Sequence, residues 1–487
     1  MLLPFLLTCL GGVGFLYLYH LNRGLKWVPE EARRLSPRRW TVDEIKAAHE
    51  KAIHSPVDVS KSLPPRQNRR YVVIGGSGLV GNWVVTHLLA RGENPAAIRV
   101  LDLQAPRRET LDQGVAFVQT NIVDESAVLS AFLQAWSPTV ADLPLTVFHN
   151  AAAIRPAERH KAFLPLCRNV NVGGTANVLK AAKRAGASCL VATSSGSVTI
   201  RPPSYWLTPW TQTPKYLAQV MRDSDQLPKE HNEFFSNYAA TKAEAEGMIR
   251  GADDLTSNFR TGCIRPTNGI YGVGVDNSAT IVGHYLRIGG APSWLYDVIQ
   301  SFVNAENVSI GHLLYEQRLI EHTKHSDQLP DIGGQAFIVT DPNPAITFGD
   351  LYLLLTTLVK TPMSFPVVPA VPFFLISYMV EWYALLQHLY LPWLPKVKRD
   401  LAQLQPGLFS ISNVHVIADD SRARLSPEQG GLGYSAPITT LEGMCKEVDE
   451  WNRKADQKTA DAIAEKPLFE ISRDGVDVNL ALPEKKI

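Results

Sequence analysis

The sequence predicts an α/β protein: a doubly wound parallel sheet, a smaller C-terminal substrate-binding region, and an N-terminal transmembrane helix. Three observations predict it. Short β-branched, apolar runs (Arg70–Ile74, Ile98–Asp102, Val115–Ile122, Thr146–His149, Cys189–Ser195) alternate with helix-length segments, the pattern of βαβ units. The first run enters a glycine turn, Gly75-Gly76-Ser77-Gly78-Leu79-Val80-Gly81, and then a helical stretch. The 18 residues Leu2–Tyr19 carry no charge.

That apolar segment is close to the minimum needed to cross a bilayer. Basic residues follow it (Arg23, Lys26, Arg33, Arg34, Arg38, Arg39), which by the positive-inside rule places the bulk of the chain in the cytoplasm. The rival readings are a peripheral apolar helix and a cleaved signal peptide. The latter lacks a basic start and a small-x-small cleavage site. Residues 1–20 are thus expected to be an anchor and 21–68 a tether. Within the tether, Thr41-Val-Asp-Glu44 is a capping box opening a short helix to about Ile53. Ser55-Pro56 and Pro64-Pro65 then break the chain.

Residues 69–262 read as the core. A strand, a glycine turn and a helix together form a Rossmann-type dinucleotide cradle, with the pyrophosphate at the helix N-terminus near Leu79 and Val80. Gly75 permits the turn, Gly78 admits the phosphates, and Gly81 lets helix and strand pack closely. Asp102 ends the second strand, where a carboxylate binds ribose hydroxyls and favours NAD. Arg107 and Arg108 lie just beyond and suit a 2′-phosphate, so NADP stays open. Asn121 and Ile122 fall where an adenine would lie. Ala151 and Ala152 follow the fourth strand and leave room for a cofactor. Asn169–Ala182 reads as a helix, and Thr193-Ser194-Ser195 closes the fifth strand with hydroxyls. Tyr238-Ala-Ala-Thr-Lys242 sets a phenol and an ammonium one helical turn apart. Alone, such a pair is commonly two residues on a solvated helix face; the motifs before it give it weight.

From about Tyr71 to about Arg453 the chain resembles the extended short-chain dehydrogenase/reductases. Within them it is similar to the 3β-hydroxysteroid dehydrogenase and sterol-4α-carboxylate 3-dehydrogenase (decarboxylating) branch. The likeness rests on Gly75/Gly78/Gly81, Ile98–Asp102, His149–Ala153, Asn171–Leu179, Thr193–Ser195, Tyr238–Lys242, Ile264-Arg265-Pro266 with Ile270-Tyr271-Gly272, and Phe302–Val308 with His312-Leu313-Leu314. The resemblance implies Tyr238 as general base, Lys242 as the cation that lowers its pKa and holds the nicotinamide ribose, and Ser195 as the group orienting the reacting oxygen. Thr193 and Pro266 are expected beside the cofactor. A free phenol is a poor base near neutrality, and an adjacent cation stabilises its anion. The implied activity is NAD(P)-dependent oxidation of a 3β-hydroxyl on a sterol, steroid or triterpenoid. A C4 carboxylate, where present, would leave as carbon dioxide from the resulting β-keto acid. Arg265 and Arg201 are candidates to meet that carboxylate, Arg265 the weaker. The alternatives are a sugar-nucleotide epimerase or dehydratase of the same superfamily and a non-catalytic dinucleotide sensor.

Composition limits the rest. The chain has 487 residues, 45% of them apolar, and a formal net charge of +1, so no overall field points to nucleic acid. Five cysteines are widely spaced (Cys9, Cys167, Cys189, Cys263, Cys445), which suits a reducing compartment and offers no metal site. Residues 200–237 form a long insertion holding Tyr205, Trp206, Trp210, Tyr216, Phe234 and Phe235. It reads as a lid over an apolar ligand or as a surface elaboration. Residues 263–454 are expected to bind the substrate. Their segment 364–395 is apolar but interrupted by Pro366, Pro369, Pro372 and Glu381, with Lys396, Lys398 and Arg399 after it. It reads as an interfacial helix on the bilayer or as a buried core helix. Residues 455–487 read as a polar tail. The resemblance suggests the endoplasmic reticulum membrane and allows a homodimer.

Overall fold

The computed structural model describes residues 2–274, 280–324 and 328–460. Seven parallel strands form the main sheet: β1 (Arg70–Ile74), β2 (Ile98–Asp102), β3 (Ala116–Gln119), β4 (Leu145–His149), β5 (Ala187–Thr193), β6 (Arg260–Pro266) and β7 (Gln335–Val339). Their spatial order is β3-β2-β1-β4-β5-β6-β7, the doubly wound arrangement extended by one strand. β4 and β6 are buried along their whole length, because a parallel sheet of Val, Ile and Leu must be covered on both faces. Leu79–Ala90 and Ala305–Lys324 cover one face through Val84, Leu88, Val308 and Leu313. Glu125–Leu133, Thr175–Arg184 and Asn237–Gly251 cover the other through Val128, Phe132, Val178 and Ile249. The order reverses between β1 and β4, so the crevice for a ligand opens beyond Ile74 and His149.

Two elements differ from the sequence expectation. The third strand stops at Gln119, and Asn121 turns the chain by accepting the Val123 amide at 3.1 Å. The expected helix over 169–182 begins as a π-helical turn, Asn169–Gly174, and becomes α-helical only at Thr175. There Asn171 is drawn to Ala153, accepting from its amide at 2.7 Å and donating to its carbonyl at 3.1 Å. A side-chain tie of this kind accompanies a locally widened helix.

A second sheet joins Ile346–Thr347, Ile299–Gln300, His415–Ala418 and Ala218–Met221. It fuses the 200–237 insertion to the C-terminal region. Tyr205, Leu207 and Leu217 of the insertion are buried with Leu21, Leu25, Phe374 and Phe409.

The N-terminal helix, Leu2–Leu25, is longer than the expected anchor. Its most apolar window is wholly unburied, but Leu21 and Leu25 are fully packed. Asn22 Oδ1 accepts the Ala370 amide at 2.8 Å and so caps a second apolar helix, Ala370–Leu389. That helix is unbroken because Pro369 is its N-cap and Pro372 lies in its first turn, where no amide partner is lost. Val371, Phe374, Ser377 and Glu381 are buried against the core, while Met379 and Trp382 are exposed. Thr41 and Glu44 form the expected capping box of Val42–His54. The closing helix Thr440–Ala460 runs through 455–460 of the expected tail; the rest of that tail, 461–487, lies outside the described residues.

Candidate active site

The glycine turn separates what the fold needs from what a ligand needs. Gly75 has φ +73°, and a Cβ there would fall 2.6 Å from the Ala151 nitrogen. A Cβ on Gly81 would fall 2.0 Å from the Gly75 carbonyl oxygen. These two glycines are fixed by the backbone itself. Gly78 is different. Its φ of −76° suits any residue, and a Cβ would meet only the Gly75 oxygen at 3.5 Å, an ordinary contact. Gly78 is the N-cap of Leu79–Ala90, and no side chain caps that end. The first-turn amides, with Leu79 and Val80 among them, therefore receive no cap from the Gly78 side, at the positive end of the helix. This is the shape and charge a pyrophosphate requires.

The other cofactor candidates border the same edge of the sheet. One Asp102 oxygen accepts the Ser77 amide at 3.0 Å, and the other accepts the Leu103 amide at 2.7 Å, so the carboxylate is held against the glycine turn. Ile122 is buried against Gly174, where a Cβ would come within 2.5 Å of its Cδ1. Asn121 stays half-buried in the preceding turn, and Ala151 and Ala152 are half-buried beyond β4. Pro266 is the buried last residue of β6.

Tyr238 and Lys242 lie on successive turns of Asn237–Gly251. Ser236 caps this helix by accepting the Ala239 amide. Asn237 donates from its amide to Glu158 O (2.8 Å) and from its side chain to His160 O (2.9 Å). The first turn, with Tyr238 in it, is thereby held to the loop after β4. Among the three hydroxyls closing β5, geometry assigns different partners. Ser194 donates to Glu246 at 2.6 Å, away from the crevice. Thr193 Oγ1 contacts Asn150 Oδ1 at 2.6 Å and His312 Nε2 at 2.8 Å. Ser195 is the one that acts on the Tyr238 phenol, lowering its pKa, and its oxygen lies 2.7 Å from Ser197 Oγ.

Burial pushes the Tyr238 pKa up to about 12, with the Ser195 hydroxyl pulling against it. Burial also depresses Lys242 to about 8. The expected lowering of Tyr238 by Lys242 is not seen here. The ammonium donates instead to Thr193 O at 2.7 Å and is not among the groups acting on the phenol. Tyr238 is thus a protonated phenol at neutral pH, and Lys242 is a cation held one turn away.

Of the basic candidates for a substrate carboxylate, Arg265 is spent: it is fully buried and grips Glu246 through two bonds of 2.9 and 2.5 Å. Arg201 donates to Glu233 at 2.8 Å. Arg155, two residues beyond Ala153, is likewise paired, with Glu158. Sequence reasoning missed Asn150 and His312 as partners of Thr193, although both lie in segments that carry the family resemblance, His149–Ala153 and His312-Leu313-Leu314.

A parallel sheet in this order, a glycine cradle at its switch point and a Ser-Tyr-Lys set at the same edge define an NAD(P)-dependent oxidoreductase of the short-chain dehydrogenase/reductase type. The model of the 3-beta hydroxysteroid dehydrogenase/isomerase family matches residues 72–364, and the chain belongs to that family. It is 29% identical over 308 residues to the human sterol-4-alpha-carboxylate 3-dehydrogenase, decarboxylating, covering 62% of this chain and 69% of that protein. It is 28% identical over 400 residues to 3beta-hydroxysteroid-dehydrogenase/decarboxylase isoform 2 of Arabidopsis thaliana, covering 78% of this chain and 62% of that one. Among solved structures, the NAD complex of UDP-glucose 4-epimerase from Thermus thermophilus aligns with a TM-score of 0.50 at 18% identity, over 78% of this chain and 98% of the epimerase. That likeness is one of fold.

Proposed function

We propose that this protein oxidises the 3β-hydroxyl of a sterol-like or triterpenoid alcohol to a ketone, and that a substrate bearing a C4 carboxylate then loses carbon dioxide. The observation that carries the reading is the convergence of three residues where β5 ends: Tyr238 and Lys242 one turn apart on one helix, Lys242 bonded to the Thr193 carbonyl at 2.7 Å, and Ser195 two residues further on. Ser195 holds the alcohol oxygen, and Tyr238 receives its proton. NAD(P), when bound, supplies the hydride acceptor. To act as base Tyr238 must first lose its own proton, which burial opposes; a positive charge brought beside the phenol lowers that cost, and Lys242, one turn away, is the cation placed to supply it once the cofactor and substrate are bound. Gly78 and the amides of Leu79 and Val80 hold the pyrophosphate, on a turn that Gly75 and Gly81 make possible. Asp102 meets the adenosine ribose, which favours NAD. The product of a 4-carboxy substrate is a β-keto acid, which releases carbon dioxide without further catalytic groups. Two relatives with decarboxylation in their names support that step.

The apolar substrate fits the molecule's periphery. The Leu2–Leu25 helix is long and apolar enough to span a bilayer. Ala370–Leu389 turns Met379 and Trp382 outward beside it. Anchoring in the endoplasmic reticulum membrane, with the catalytic part cytoplasmic, would let a sterol reach the site without crossing water.

The test uses full-length protein in detergent with NAD and a 4α-carboxy-3β-hydroxysterol. Reduced cofactor and carbon dioxide should appear together. Tyr238→Phe should lower kcat by about 10²–10⁴-fold while leaving NAD affinity intact. A Tyr238→Phe protein with undiminished turnover would remove the tyrosine from this role, and cofactor reduction with no carbon dioxide would leave a simple dehydrogenase.

A further inference from the structure

His312 sits on Ala305–Lys324, across the sheet from the helix that carries Tyr238 and Lys242. It is fully buried, yet it touches the residue that holds Lys242. Its Nδ1 lies 2.8 Å from the Val308 carbonyl. A carbonyl only accepts, so Nδ1 carries the proton. Burial lowers the ring's pKa to about 4, so the imidazole is neutral and Nε2 is a bare acceptor. Thr193 Oγ1, 2.8 Å away, must donate to it.

This fixes the next partner. Thr193 has one hydroxyl proton, yet Asn150 Oδ1, a second acceptor, stands 2.6 Å from the same oxygen. Meanwhile Asn150 Nδ2 is buried without a partner among the described residues. Turning the amide over satisfies both demands: Nδ2 donates to Thr193, and Thr193 donates to His312. The result is a one-way chain, Asn150 to Thr193 to His312 to Val308 O. It pins both ends of the Thr193 side chain, and the Thr193 carbonyl receives the Lys242 ammonium at 2.7 Å.

We propose that His312 is a positioning residue for Lys242: through the Thr193 hydroxyl it fixes the strand end that aims the ammonium at the catalytic edge. The proposal rests on the roles given to Tyr238 and Lys242 above. The hydrogen bonds of His312 go to Thr193 and Val308, so its influence on the site passes through Thr193.

Full-length His312→Leu, His312→Gln and Thr193→Val decide it, each checked by thermal unfolding. His312→Leu removes the acceptor and should lower kcat by about ten- to a hundredfold, with little change in KM for the alcohol. His312→Gln restores an acceptor and should recover most of the loss. Thr193→Val should match His312→Leu, and the double variant should be no worse than either single one. A His312→Leu enzyme within about twofold of wild type, or losses that multiply in the double variant, overturns the proposal. If His312→Leu does not fold, Thr193→Val carries the test, and a wild-type kcat there overturns it equally. A readout free of turnover is the ¹⁵N signal of His312: Nε2 should be unprotonated and should shift in Thr193→Val, and an unmoved signal counts against the chain. Tyr238→Phe in parallel separates the two ideas. If it retains activity, the catalytic reading fails; if it is inactive while His312→Leu is normal, only the positioning role fails.

Discussion

Gly78 and Gly81 show that one residue type serves two masters three positions apart. A methyl group on Gly81 would be driven into the Gly75 carbonyl, so Gly81→Ala should destabilise the fold by about 1–3 kcal/mol, visible as a lower Tm without any ligand. Gly78→Ala meets only ordinary contact, and its folding cost should stay within ~1 kcal/mol. Its effect should appear in NAD affinity, weakened about tenfold or ~1.4 kcal/mol, measured by equilibrium titration. Normal NAD binding by Gly78→Ala would show that the cradle is not where the pyrophosphate lies. At this scale the sequence was readable where chemistry is carried by spacing: the glycines, and Tyr238 with Lys242 one turn on. It was silent on direction. Thr193, Ser194 and Ser195 are three similar hydroxyls in a row, and only the packed sheet turns one to His312, one to Glu246 and one to Ser197 near the Tyr238 phenol. His312 stood in a quoted motif, but its partner could not be read, because that partner lies 119 residues away on another element.

Among the elements, the helix Ala370–Leu389 draws its importance from Glu381. A carboxylate in so apolar a helix needs a partner, and Arg159 supplies it through two bonds of 2.9 and 2.8 Å. Arg159 belongs to the loop whose carbonyls at Glu158 and His160 hold Asn237, the residue before Tyr238. Glu381→Ala should cost about 1–3 kcal/mol in thermal unfolding. Adding Arg159→Ala should cost little more, since the two act as one contact; fully additive losses would mean that the pair is not coupled. The first five main-sheet strands were legible because apolar runs bounded by turn residues mark them, and the observed β1 and β2 match the runs read from sequence; β6 and β7 were not read as strands, and β7 falls within the residues expected to bind the substrate. The second sheet was not. Its strands are two to four residues long and come from four separated parts of the chain, too short for any periodicity to register. The prolines misled in the opposite direction: they suggested an interrupted segment, where Pro369 and Pro372 in fact start a continuous helix.

At the level of the whole molecule, the N-terminal helix behaves as two parts. Residues up to Tyr19 are largely exposed, whereas Leu21 and Leu25 are packed, His20 reaches the Thr208 and Thr211 carbonyls, and Asn22 caps the second apolar helix. Deleting residues 2–19 should therefore leave the Tm of the remaining protein close to that of the full chain in detergent. Deleting 2–25 should lower it by several degrees, because it strips apolar contacts and a helix cap together. Equal Tm values for the two truncations would mean that the lower half of the helix contributes nothing to the fold. The Asn22 cap has a mechanical corollary. A segment bonded to the body at its base is a mast and not a mooring line: set in a bilayer, it would hold the protein at one fixed tilt, with the same side always turned toward the lipid.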